Sequence, residues 1–146
     1  MPEKTDNRTV GGRFEQELAE ILYKNGYWVH VLQQNKSGQP ADIIAIKGKF
    51  HTLIDCKVIS DMSDGFPFSR IEENQALAMS LFTRRAYELC YFALKLPDGE
   101  IRMVSFSRLM TVKHRGNKRL VAKDIETQTW SLEKWLEDSH VWSIDV

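Results

Sequence analysis

The stretch "PADIIAIKGKFHTLIDCK", residues 40–57, reads as two apolar strands joined by a glycine turn. In a strand, successive side chains alternate faces. Leu53, Asp55 and Lys57 therefore point one way, and Ile54, Cys56 and Val58 the other. In the first strand Asp42, Ile44 and Ile46 share a face. Both faces are mainly apolar, which requires central strands covered on both sides. A carboxylate within such a run destabilises the chain unless it is paired or holds a metal. Hairpin pairing sets Asp42 beside Asp55 and Lys57.

The rest of the chain supplies the cover. A helical stripe of Phe14, Leu18, Ile21 and Leu22 starts at Gly12 and stops at "KNG", 24–26. "YWVHVL", 27–32, is a strand, and "QQNKSGQP", 33–40, a polar loop. Strands follow at 41–47 and 50–58, then a loop at 60–69 and a long helix at 70–86. Residues 88–96 and 101–106 form a second hairpin around "PDGE", "SRLM" is a short helical turn, and 129–138 is an amphipathic helix with Ser131 as N-cap. This order predicts one α/β domain over 1–146, a mixed β-sheet flanked by helices. Within it, 1–10 reads as a loose arm, 11–110 as the core, and 111–146 as a basic loop and C-terminal helix.

Composition excludes little beyond membrane and fibrous classes. At 146 residues with 42% hydrophobic content the chain can bury a real core. No apolar run approaches the ~20 residues of a membrane span. The start is polar and carries no apolar signal core, so a cytoplasmic protein is expected. Cys56 and Cys90 both fall in apolar strands and read as reduced, buried thiols. Twenty basic and twenty acidic side chains leave no net charge. Locally the balance is uneven: seven Lys and Arg and no acid lie between Ile101 and Lys123, densest in "KHRGNKR", 113–119. That segment reads either as a solvated loop or as a phosphate-contacting patch.

Two adjacent carboxylates repel unless a cation lies between them. Oxygen ligands suit Mg²⁺ or Mn²⁺, which can bind a phosphodiester oxygen and lower the pKa of a water. Lys57 could then orient that water or stabilise charge developing on phosphorus. The plainer alternative is that Asp42 caps a turn while Asp55 and Lys57 form an ion pair. Three charges on two adjoining strands favour chemistry. Helix geometry leaves the third acid open, because Glu15 and Glu17 fall on opposite edges of the apolar stripe and Glu20 faces away. Gln75 lies in the stripe of the second helix with Ile71, Ala78 and Phe82. It reads either as a satisfied core amide or as a group that holds the attacking water or Lys57.

"Pro40-Ala41-Asp42" followed by "Asp55-Cys56-Lys57" resembles the PD-(D/E)xK nuclease signature, with one residue between proline and aspartate. "GGRFEQELAEIL" resembles the opening of Holliday-junction resolvases. "SGQPADIIAIKGKFHTLIDCK" is similar to the archaeal resolvase core, and "FPFSRIEENQALAM", 66–79, to the RecU-type segment after the active site. The long stalk that RecU-type enzymes carry before the first aspartate is replaced here by "QQNKSGQP", as a short-loop, phage-type resolvase would have it. The resemblance implies a metal-dependent endodeoxyribonuclease acting on branched DNA, a four-way junction, as a homodimer. It implies Mg²⁺, or Mn²⁺, on Glu15, Asp42, Asp55 and the Cys56 backbone carbonyl, with Lys57 and Gln75 assisting. Alternatives are a restriction-type or repair endonuclease on duplex DNA and an inactive DNA-binding protein of the same fold. Candidate DNA contacts are Arg8, Ser37, Arg70, Lys113, Arg115, Lys118 and Arg119, with Lys4 on the arm. Of the tryptophans, Trp28 reads as core, and Trp130 and Trp135 as core or dimer packing.

Overall fold

A computed structural model describes residues 7–32 and 39–138. Its elements are α1 (Asn7–Lys24), β1 (Trp28–Val31), β2 (Ile43–Lys47), β3 (Phe50–Val58), β4 (Phe66–Pro67) and α2 (Glu73–Ala86). They continue with β5 (Tyr91–Lys95), β6 (Ile101–Ser105), α3 (Phe106–His114), β7 (Arg119–Leu120), α4 (Ala122–Thr127), β8 (Trp130–Ser131) and α5 (Leu132–Asp138). Short 3-10 turns at Met62–Asp64 and Phe68–Arg70 fill the link between β3 and α2.

The main sheet has the order β1-β2-β3-β5-β6-β8. It is antiparallel except at its centre, where β3 and β5 run parallel and α2 makes the crossover. The mixed sheet flanked by helices is thus as the strand pattern predicts. The two apolar faces of β2 and β3 feed separate cores. Ile43, Ala45, Ile54 and Cys56 pack with Phe14, Leu18 and Leu22 of α1 and with Leu132 and Trp135 of α5. Leu53 packs on the other face with Met79 of α2, Phe92 and Leu94 of β5, and Phe106, Leu109 and Val112 of α3. Trp135 closes the first core against Tyr27, Phe50 and Tyr91.

Several boundaries differ from the sequence expectation. α1 starts at Asn7, so residues 7–10 of the expected arm are helical. The apolar stripe marks only the part of a helix that meets the core, and here the first turns lie ahead of it. The short helical turn at 107–110 is the first half of α3, which runs on to His114 and takes Lys113 out of the expected loop. Its start is set by Ser105, whose Oγ accepts the Arg108 N–H at 3.1 Å. The remainder of that basic loop contains β7 and α4. Trp130 and Ser131 pair with β6 before α5 begins, although Ser131 does cap the helix, accepting the Lys134 N–H at 3.2 Å. Trp28 is not core: it is 58% exposed on the edge strand, stacked on His30.

Candidate active site

β2 leaves the ladder at Ile43, and this departure builds the site. The register Ile43↔Ile54 carries Asp42 next to Asp55, and the Asp42 N–H still donates to the Ile54 carbonyl at 3.1 Å. One step on, the Cys56 N–H has no strand partner. The Asp42 carboxylate takes that place, Oδ2 accepting from Cys56 N at 2.8 Å, while Oδ1 accepts from Gln39 Nε2 at 3.1 Å. The turn-capping alternative for Asp42 is not what is seen: one of its oxygens serves the backbone of the neighbouring strand, in place of a ladder partner.

Asp55 sits in the middle of β3, 1% exposed. Its Oδ1 accepts from Gln75 Nε2 at 2.7 Å, and Lys57 Nζ lies 3.2 Å from Oδ2. Gln75 reaches Asp55 from α2 and holds this carboxylate, where the expectation had it hold water or Lys57. α1 decides between the two edge glutamates. Glu17 forms an ion pair with Lys95 of β5, whereas Glu15 lies against Asp42. The Asp42 carboxyl is in hydrogen-bonding reach of both Glu15 and Asp55.

Electrostatics follow from this crowding. Burial, then repulsion from Asp42, raises the Asp55 carboxyl to about 8, with Lys57 opposing. Burial, then Asp42, raises Glu15 to about 7. The Cys56 thiol faces the α1 core and is pushed well up, first by burial and then by Asp42, Asp55 and Glu15. It is a protonated core thiol and no nucleophile.

Among the described residues, no three acid, histidine or cysteine side chains form a closed ligand set; the carboxyls touch as two pairs through Asp42. The donor set nevertheless fits a hard divalent cation with its water shell. Two buried amide oxygens at this cluster, Gln39 Oε1 and Gln75 Oε1, lack a hydrogen-bond partner, and Asp55 Oδ2 has the Lys57 ammonium at 3.2 Å without a well-aligned hydrogen bond. All three are acceptors. Bound waters of Mg²⁺ or Mn²⁺ are donors and would supply what these oxygens lack.

The residues expected to contact DNA lie in different settings. Arg70 donates to the Val58 carbonyl at 2.9 Å and lies over the Phe66 ring, so it tethers the end of β3 beside the acids. Lys118 and Arg119 are drawn to the same segment, because β7 pairs with β4 and the Phe68 N–H donates to the Lys118 carbonyl at 3.0 Å. Lys113, Arg115, Lys118 and Arg119 are all exposed, and Arg119 also donates to the Asp64 carbonyl at 3.1 Å. Arg102, from the same basic stretch, is turned inward onto Glu100 and Thr129. Just past Lys57, a cavity of about 440 Å³ opens between α1 and the end of β5, lined by Arg13, Glu17, Ser60 and Lys95. Ser37 and Lys4 lie outside the described residues, and Arg8 falls on α1 where only the backbone is described. Gln39 is the residue that sequence reasoning missed: a glutamine ending a polar loop carries no periodic or motif signal.

The model of the archaeal Holliday junction resolvase family, Hjc, matches residues 6–141. Among solved structures, Hjc of Archaeoglobus fulgidus, a Holliday junction resolvase from an archaeal hyperthermophile, superposes with a TM-score of 0.54 at 25% identity. The match covers 65% of this chain and 76% of that one. No curated protein matches. With nearly its whole length matched by the family model, the chain belongs to the archaeal Holliday junction resolvase family.

Proposed function

We propose that this protein is a divalent-metal-dependent endodeoxyribonuclease that resolves four-way DNA junctions, with Glu15, Asp42, Asp55 and Lys57 at its centre. The observation that carries this reading is the meeting of Glu15 from α1, Asp42 from the end of β2 and Asp55 with Lys57 from β3 in one acidic cluster whose two aspartates are buried. Membership in a Holliday junction resolvase family supports the junction as substrate.

Glu15, Asp42 and Asp55 would hold Mg²⁺ or Mn²⁺. The Cys56 carbonyl joins them by position: residues 54 and 56 present their backbone groups to the same edge of β3, and at Cys56 that edge faces Asp42. When bound, such an ion offsets charge on the phosphate and acidifies a water. Lys57 stands at the mouth of the cluster, its ammonium directed by Asp55, where it meets a phosphodiester entering from solvent and stabilises added negative charge. Gln75 fixes the other Asp55 oxygen, so Asp55 is gripped from both sides. Water adds to phosphorus and the bond to the 3′ oxygen breaks, leaving a 5′-phosphate and a 3′-hydroxyl.

Arg70, Lys113, Arg115, Lys118 and Arg119 would carry the DNA backbone, together with Arg8 and Ser37. Backbone contacts position the substrate, and the junction's shape selects it. Two symmetric cuts call for two sites, hence a homodimer. No helix among the described residues is long and apolar enough to cross a membrane, and action on DNA in the cytoplasm follows from the substrate.

The deciding experiment incubates the protein with a four-way junction, a linear duplex and single strands, each with Mg²⁺ or EDTA. Paired symmetric nicks on the junction, only with Mg²⁺, are expected. Cutting of linear duplex points to a restriction-type or repair nuclease, and binding with no cutting to an inactive relative.

A further inference from the structure

Gln39 borders the acidic cluster from the loop side. It is 91% buried, being 9% exposed, although it ends a polar loop and precedes Pro40. A buried amide in such a place destabilises the fold unless its polar atoms are used. Only half of them are. Nε2 donates to Asp42 Oδ1 at 3.1 Å, and Oε1 is buried with no partner.

Gln75 repeats the arrangement on the other aspartate. Its Nε2 donates to Asp55 Oδ1 at 2.7 Å, it is 5% exposed, and its Oε1 is likewise buried without a partner. The two glutamines come from unrelated elements, one from the segment before β2 and one from α2. Each grips one aspartate by its N–H and keeps a carbonyl oxygen in reserve. Gln39 thereby completes the hold on Asp42, whose other oxygen already accepts the Cys56 N–H at 2.8 Å. With both oxygens engaged, the carboxylate plane is set, and only the remaining lone pairs face Glu15 and Asp55.

We propose that Gln39 is a positioning residue of this site, its amide N–H orienting the Asp42 carboxylate and its carbonyl oxygen accepting a hydrogen from water held at the acidic cluster. The inference rests on the nuclease reading above and adds a group that orients a ligand from behind. Such supporting groups tune the affinity of a metal site and the precision of its geometry.

The test compares the full-length protein with Gln39→Met, which keeps length and volume, and Gln39→Glu, which keeps the acceptor but has no N–H. Mn²⁺ alone is titrated into DNA-free protein by calorimetry. Junction Kd is measured in EDTA, Tm by scanning calorimetry, and single-turnover cleavage of the junction at saturating Mn²⁺. Gln39→Met is expected to weaken Mn²⁺ binding by about 10–100-fold, with Tm and junction Kd in EDTA unchanged. Gln39→Glu is expected to bind Mn²⁺ at least as tightly as wild type and yet cleave more slowly, because Asp42 is then repelled where it was held. A purely structural role predicts the opposite pattern, with Tm and junction affinity falling together and no split between the two variants; that result overturns the proposal. So does Gln39→Met with wild-type Mn²⁺ affinity. If the wild-type protein itself fails to cut the junction, the resolvase reading fails, and the Mn²⁺ titrations still decide the role of Gln39.

Discussion

Asp55 is held by an amide on one oxygen and an ammonium on the other, at 2.7 Å and 3.2 Å. These interactions offset only part of the burial and of the repulsion from Asp42, so its carboxyl is raised from 3.8 to about 8. A folded-state acid with a raised pKa keeps a proton that the unfolded chain has released. Its contribution to stability is full below about pH 4 and fades as pH climbs through about 8. Glu15, raised to about 7, acts in the same direction, weakened by its greater access to solvent. In EDTA, Tm should therefore fall between pH 5 and pH 9, and Asp55→Asn should flatten that fall while abolishing cleavage. Scanning calorimetry across this range checks it; a slope that Asp55→Asn leaves unaltered contradicts the assignment. Lys57 belongs to the same scale. Lys57→Ala should slow single-turnover cleavage by about 10²–10³-fold, as removal of one preorganised charge does, with junction binding in EDTA little changed.

Among the elements, the small β4–β7 ribbon matters most for binding, because it ties the basic segment to the end of β3. Its closest approach is at Gly65, with φ 60° and ψ −144°. A Cβ there would lie 2.2 Å from the Leu120 carbonyl oxygen, a backbone atom that cannot swing aside. Gly65→Ala should cost about 1–3 kcal/mol through strain and loosen the ribbon. Urea unfolding reads the first effect, and junction affinity in EDTA, which should weaken, reads the second. Wild-type affinity in a destabilised Gly65→Ala protein would show that the ribbon does not position the basic segment. The same element logic explains Arg70: with its guanidinium on the Val58 carbonyl, it steadies the strand that carries Asp55 and Lys57.

At the scale of the molecule, equal numbers of acidic and basic side chains give no net attraction to DNA. Binding must come from how charge is laid out. Arg102 is spent on Glu100 and on Thr129 in the link from α4 to β8, and Arg119 also donates to the Asp64 carbonyl. Lys113, Arg115 and Lys118 remain exposed within one six-residue stretch. Replacing these three by alanine should weaken junction binding and flatten its salt dependence by about 0.9 in log–log slope for each phosphate left without its cation. Cleavage at saturating protein should persist, since none of the three touches the acids. An unchanged slope in a salt titration would move the DNA track elsewhere, toward the cavity lined by Arg13, Ser60 and Lys95.

Local pattern settled a large part of this protein. Alternation in 40–58 fixed which residues share a face, since period-two ordering is a property of the strand alone; the expected cover on both sides holds through the middle of β3 but not on β2, where Ile46 is 38% exposed next to the edge strand. Alternation also paired Asp55 with Lys57 on one side, as strand neighbours two apart must be. What required the tertiary structure was every choice between equivalents. Glu15 and Glu17 sit symmetrically on the α1 stripe, and only packing against β5 commits Glu17 to Lys95 and leaves Glu15 to Asp42. Gln75 lies 20 residues from Asp55, and which group it grips depends on the crossover that lays α2 on the sheet. Gln39 gives no pattern at all, because its role arises where β2 leaves the ladder and the exposed backbone and carboxylates must find donors. Periodicity is local and reports burial; convergence depends on how distant segments dock, and the acidic centre of this protein is a product of docking.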